Sequence, residues 1–137
     1  MIVVDANLLV ALVSGDPRGN KVLQCFTNWL SHNIEIHAPV LVQYEIVNAL
    51  TRLIVGSAFP TDKVEEAWNN IHILPITYHE LSNAKRAVEI ALALNRQNAY
   101  DAAYIALAEG LGAELWTLDG PLYRNAQGQG FAVNLIS

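Results

Sequence analysis

A chain of 137 residues with 53% hydrophobic and only 15% charged side chains is sized for one packed domain over 1–137 and is too apolar to stay disordered. Its net charge of −5 excludes a broadly basic nucleic-acid surface, but not carboxylates that gather divalent cations and invert the local charge. One cysteine, Cys25, excludes an intrachain disulfide; with no basic leader before Asp5 and no run near ~18 apolar residues, neither signal peptide nor membrane span is expected, which fits the cytoplasm.

The β-branched run Ile2–Val4 reads as a buried strand, and Ala6–Val13 as a short helix closed by the turn Ser14-Gly15-Asp16-Pro17. Val22, Leu23, Phe26, Trp29 and Leu30 recur at helical spacing over Arg18–Ser31, with Cys25 as a small core residue among them. Ile34–His37 alternates as a second strand. Pro39 suits the first turn of a helix over Val40–Val55, which Gly56 stops. Thr61 to Glu65 looks like an acidic helix start, and Ile73–Ile76 like a third strand. Leu81, Ala84, Val88, Ala91 and Leu92 predict a helix over His79–Asn95, and Ala99–Leu111 predicts another, ended by Gly110 and Gly112. Glu114–Leu118 is the fourth strand, Asp119-Gly120-Pro121 a turn, Gly128-Gln129-Gly130 a loop, and Phe131–Ile136 a fifth strand at an edge. Strands alternating with helices predict an α/β sandwich whose mostly parallel sheet carries helices on both faces. The mean hydropathy of +0.25 points to apolar surface covered by a partner.

Four acids stand where this fold would bring them together. Asp5 ends the first strand and Asp119 the fourth, and ligands of open parallel sheets bind outside the carboxyl ends of strands. Asn7 follows Asp5 closely, and Thr117 projects to the same side as Asp119. Asp101 lies at a helix start beside Tyr104, Ile105 and Ala108, an apolar face where a charge needs a partner. Glu45, Asn48 and Arg52 form the one polar stripe of an otherwise apolar helix. Each has a plainer explanation: Asp5 as a helix cap, Asp119 in a turn, Asp101 serving the helix dipole behind an Asn98 cap, and the stripe as a solvated face. Together, carboxylates suit hard cations such as Mg²⁺ or Mn²⁺, and one or two such ions suit phosphodiester hydrolysis by activated water. Asp5 and Asp101 would be the principal ligands, Asp119 would complete the set or hold a second ion, and Glu45 would bind metal or position water. Arg52 would meet a phosphate, with Asn48 in support.

The segments Val3-Val4-Asp5-Ala6-Asn7, Tyr44-Glu45-Ile46-Val47-Asn48-Ala49-Leu50, Tyr100-Asp101-Ala102-Ala103-Tyr104 and Thr117-Leu118-Asp119 occur in an order that resembles the PIN domain family, and within it the short VapC toxins. The resemblance covers nearly the whole chain. It implies an α/β/α sandwich with a parallel sheet of about five strands, Mg²⁺- or Mn²⁺-dependent RNA cleavage, homodimerisation, and inhibition by a small antitoxin protein. Acidic roles carry over to Asp5, Glu45, Asp101 and Asp119, and supporting polar roles to Asn7 and Thr117. Some members have a further acid soon after the last motif, where this chain has Asn125.

Other chemistries find no residues. His32, His37, His72 and His79 lack zinc-ligand spacing, and no phosphate-binding glycine loop, dinucleotide fingerprint or serine elbow occurs. Trp29 and Trp116 read as core or interface, and Trp68, behind Glu65 and Glu66, as a partner surface. Two rival functions stay open. A non-catalytic RNA- or protein-binding module would not bind Mg²⁺ or Mn²⁺. A small-ester phosphohydrolase would form an aspartyl-phosphate, but position 7, where a second aspartate would help it, holds Asn7.

Overall fold

In the computed structural model, which describes residues 1–137, five strands form one parallel sheet in the order β3-β2-β1-β4-β5. The central strand β1 (Ile2–Val4) is buried along its whole length, as an unbroken β-branched run requires. It pairs with β2 (Ile36–Pro39) through Ile2 and Ile36, and with β4 (Glu114–Thr117) through Val4 and Trp116. β3 (Ile76–His79) lies outside β2, and β5 (Val133–Leu135) outside β4. The chain steps outward from β1 to β3, then crosses to build β4 and β5 on the other side. The direction of growth therefore reverses between β1 and β4, which opens a crevice at their carboxyl ends.

Helices cover the sheet as an α/β/α sandwich. α6 (Tyr100–Leu111) packs on β1, β2 and β4, with α5 (Ala84–Ala93) beside it. Ala102 and Ala108, both buried, let its backbone lie close to the strands. α1 (Ala6–Val13) packs against α2 (Gly19–Ser31), α3 (Leu41–Val55) and α4 (Val64–Ile73). Gly19 makes the turn into α2 possible, because a Cβ there would sit 2.7 Å from the Ala11 carbonyl oxygen. Leu8, Leu9, Ile46, Ile105 and Leu115 are among the fully buried side chains of the core, each contributing about 1.5–3 kcal/mol by burial. No helix is long and apolar enough to cross a membrane.

The five-stranded parallel sheet and most elements match expectation, and the departures have local causes. β2 runs on through Pro39, opposite His79; Pro39 has no N–H, and the next residue, Val40, donates to the His79 carbonyl at 2.8 Å. α4 claims Ile73, which is exposed, and the third strand begins only after Pro75. α5 starts at Ala84, where the Asn83 side chain accepts from the Arg86 N–H at 3.1 Å; Leu81 lies before it, and Val88 and Leu92 point outward while Ala87, Ile90 and Ala91 face the core. The expected turn at Gly120-Pro121 opens a helix instead, α7 (Gly120–Gly128), with proline in its first turn where a missing N–H costs nothing. Trp29 is buried edge-on to Trp116 at 5.4 Å, and Cys25 is half-buried against the core. Trp68 is also half-buried against the core, its ring 4.3 Å from His72, so it does not project as a partner surface.

Candidate active site

At the reversal crevice, Asp5, Asn7, Glu45, Asn48, Arg52, Asp101, Tyr104 and Asp119, with Ala6, line one cavity of about 130 Å³. Every acid expected from the sequence reaches it, each from a different element. Asp5 follows β1 and caps α1, its Oδ1 accepting from the Leu8 N–H at 3.2 Å. Asp119 follows β4 and caps α7 in the same way, accepting from the Leu122 N–H at 3.0 Å. The plain capping role and the cavity position therefore coexist in both residues. Asp101 sits in the first turn of α6, where the helix dipole favours a negative charge. Its expected cap is displaced: Ala99 occupies the cap position, and Asn98 instead accepts from the Tyr100 N–H at 3.3 Å. Glu45, Asn48 and Arg52 project from successive turns of α3, so the polar stripe of that helix faces the cavity.

Thr117 is fully buried and lies behind the acids. Its hydroxyl donates to Asp5 Oδ2 at 2.5 Å and accepts from the Asp119 N–H at 3.0 Å. One side chain thus ties together the ends of the two strands, orienting the Asp5 carboxylate and holding the Asp119 backbone. Asn7 is exposed at the rim. Asn125 does not line the cavity; its amide donates to the Leu94 carbonyl at 2.9 Å and fastens α7 to the end of α5.

Tyr104 is the residue that sequence reasoning missed. It is buried, and its hydroxyl donates to Glu45, joining α6 to α3 across the cavity. The signal was present: Tyr104 stands one turn beyond Asp101, and a buried tyrosine hydroxyl needs a polar partner.

Crowding acids in a small space raises the cost of their charge. Burial pushes the Asp5 carboxyl up from 3.8 to about 7, against the opposing bonds from Thr117 and Leu8, and the charges of Asp101 and Glu45 add to the rise. Glu45 is raised by burial and by Asp101, and held back by the Tyr104 hydroxyl and the Arg52 charge. Burial also raises Asp101, with Arg96 opposing and Asp119 adding to the rise. No three of these side chains, nor any other His, Cys, Asp or Glu, are gathered into a finished metal cage. The donor set is nonetheless all oxygen and rich in carboxylates, the chemistry hard divalent cations take. A cation in the cavity would also remove the repulsion that lifts these acids. The residues present therefore fit such an ion.

A model of the PIN domain family matches residues 2–127. Ribonuclease VapC3 of Pyrobaculum aerophilum is similar at 32% identity over 126 residues, which span 88% of this chain and 91% of that protein. Ribonuclease VapC12 of Mycobacterium tuberculosis is 28% identical over 138 residues, 100% of both chains. Among solved structures, a toxin-antitoxin complex from Klebsiella pneumoniae contains a chain of the same fold, with a TM-score of 0.71 at 16% identity over 100% of this chain and 98% of that one.

Proposed function

The chain belongs to the PIN domain family, and from that membership we propose that it is a metal-dependent endoribonuclease, the toxin of a toxin–antitoxin pair. One observation carries the reading: four carboxylates from four elements share one cavity at the carboxyl ends of β1 and β4. Bound Mg²⁺ or Mn²⁺ would supply a lowered pKa for water and positive charge beside the scissile phosphate. Asp5 and Asp101 would be its principal ligands, with Asp119 completing the set. Thr117 holds Asp5 and Asp119 in place. Glu45, steadied by Tyr104, would bind metal or take the proton from the attacking water. Asn7 and Asn48 add neutral polar groups at the cavity wall.

An antitoxin protein is the proposed partner, supported by the likeness to toxin chains. A homodimer is proposed as well, and the surface supports it. Tyr44, Leu81 and Tyr100 are exposed around an apolar groove of about 400 Å³ between α3, α5 and α6, and Val88 and Leu92 are exposed on α5. Exposed apolar groups of this size are costly in water unless covered.

A second reading, a PIN module that binds without cutting, draws on the absence of a finished cage among the carboxylates. One experiment separates the two. The purified protein is incubated with mixed cellular RNA in Mg²⁺ or Mn²⁺, with and without EDTA, beside an Asp101→Asn control. Cleavage that needs metal and is lost in the variant supports the enzyme. No cleavage together with no metal binding supports the module.

A further inference from the structure

The chain has five arginines, and two of them are paired. Arg18 binds Asp16 at 2.9 Å, and Arg86 binds Glu109 at 2.7 Å and Glu89 at 3.3 Å. Of the remaining three, Arg52 lines the acid cavity, Arg96 lies in the link that leads into α6 and its Asp101, and Arg124 lies on α7, the helix that Asp119 caps. They come from three different stretches of the chain. Arg52 on α3 lines the cavity, and its charge acts on Glu45. Arg96, in the link between α5 and α6, acts likewise on Asp101. Arg124 on α7 folds its guanidinium over Gly120, where Nη1 lies 3.0 Å from the position a Cβ would take, beside Asp119.

None of the three forms an ion pair within 4.0 Å, and all three are exposed. If their role were to neutralise the acids, they would close onto them as Arg86 closes onto Glu109. They stop short, and their donors stay free. A free guanidinium offers a planar fork of N–H groups that fits a phosphate through two parallel bonds. One such fork stands on the wall of a centre whose acids repel phosphate, and two more stand on the segments next to Asp101 and Asp119, in a chain of net charge −5.

We propose that Arg52, Arg96 and Arg124 form a clamp that holds a single RNA strand across the acid cavity by the backbone phosphates flanking the cleaved one. The proposal rests on the ribonuclease reading and extends it to Arg96 and Arg124. The clamp resolves the conflict between an acidic protein and an anionic substrate locally: cations at the rim hold the backbone while carboxylates occupy the centre. It reads no bases, so its contribution to affinity is independent of sequence.

The test is binding of a labelled mixed-sequence single-stranded RNA by the Asp101→Asn protein, which does not consume the probe, in a KCl series at constant Mg²⁺. Each phosphate contact on a single strand contributes about 0.7 to the slope of log K against log salt. Replacing Arg52, Arg96 and Arg124 together by glutamine is expected to flatten that slope by about 2, and to weaken binding at low salt at least about tenfold. Replacing Lys21, Lys63 and Lys85 instead removes the same charge from α2, from the start of α4 and from α5, elements that carry no cavity residue, and is expected to leave the slope unchanged. An equal loss in both triple variants would overturn the clamp in favour of a net-charge effect, and an unchanged slope in the arginine variant would overturn it outright. If the unsubstituted chain neither binds nor cleaves RNA, the ribonuclease reading falls and the clamp with it. If that chain cleaves RNA and only the slope fails to respond, the clamp alone falls.

Discussion

Replacing Asp5 by asparagine is expected to stabilise the metal-free protein above neutral pH while abolishing its activity. Asp5 is buried, and its carboxyl is raised from 3.8 to about 7, first by burial and then by the charges of Asp101 and Glu45. Between those two values the folded protein keeps a proton that the unfolded chain has released. The stability this proton confers is complete below about pH 4 and is lost as pH rises through about 7. At about 1.4 kcal/mol per unit, the displacement amounts to about 4 kcal/mol lost by pH 8. Asparagine cannot ionise, so it escapes this loss. It still caps α1 and still offers an oxygen to Thr117, and what the Thr117 and Leu8 bonds give the carboxylate is already contained in the displacement. The net expectation at about pH 8 is a variant more stable by about 4 kcal/mol, with little difference near pH 4. Urea unfolding of both proteins in EDTA at the two pH values measures it directly. A parent whose stability does not fall between them would refute the reasoning, as would an Asp5→Asn protein no more stable than its parent at the higher pH. Either result would mean that Asp5 ionises in the fold without cost.

The other expectations concern the surrounding groups. Asp101→Asn should stay folded, at about pH 8 without metal at least as stable as its parent, yet lose RNA cleavage by about 100-fold or more, read from initial rates in Mg²⁺. Thr117→Val keeps the shape but strands Asp5 Oδ2 and the Asp119 N–H, and should cost about 1–3 kcal/mol in urea unfolding. Tyr104→Phe removes a hydrogen bond that holds the Glu45 carboxyl down, so the acidic limb of the cleavage pH profile should move to higher pH. Mg²⁺ should raise the melting temperature of the parent at about pH 8, and should do so far less once Asp5 and Asp101 are both amidated.

What could be read from the sequence was whatever depends on short-range pattern. The run Ile2-Val3-Val4 could only be an interior strand, and the polar stripe Glu45, Asn48, Arg52 on an apolar helix could be placed on one face by spacing alone. The misplacements came where two local signals competed. Gly120-Pro121 is good turn chemistry and equally good helix-opening chemistry, and the choice is made by Asp119, whose side chain caps the helix. Leu81, Val88 and Leu92 mimic the buried stripe of a longer helix, because an exposed apolar face has the same periodicity as a core-facing one. The Tyr104–Glu45 contact spans 59 residues, and no local pattern reports a partner at that separation.

The site also explains why the most secure element of the fold carries its least comfortable charge. β1 is central, paired on both sides and fully buried, so a carboxylate at its end has little freedom to retreat into solvent. Thr117 sharpens this by binding Asp5 from the neighbouring strand, in a bond that favours the ionised form but does not outweigh burial. A residue free to move would relieve the repulsion among the acids by turning away; Asp5 cannot, and the surrounding core sustains the cost. The same rigidity would make the acids selective for their proposed ligand. Whatever enters to stabilise them must carry concentrated positive charge and accept oxygen donors, which a monovalent cation or a long basic side chain does poorly and a small divalent ion does well. Cation affinity and metal-free instability should therefore rise and fall together across substitutions at Asp5, Glu45 and Asp101, because both reflect the burial of these carboxylates and, after it, their mutual repulsion.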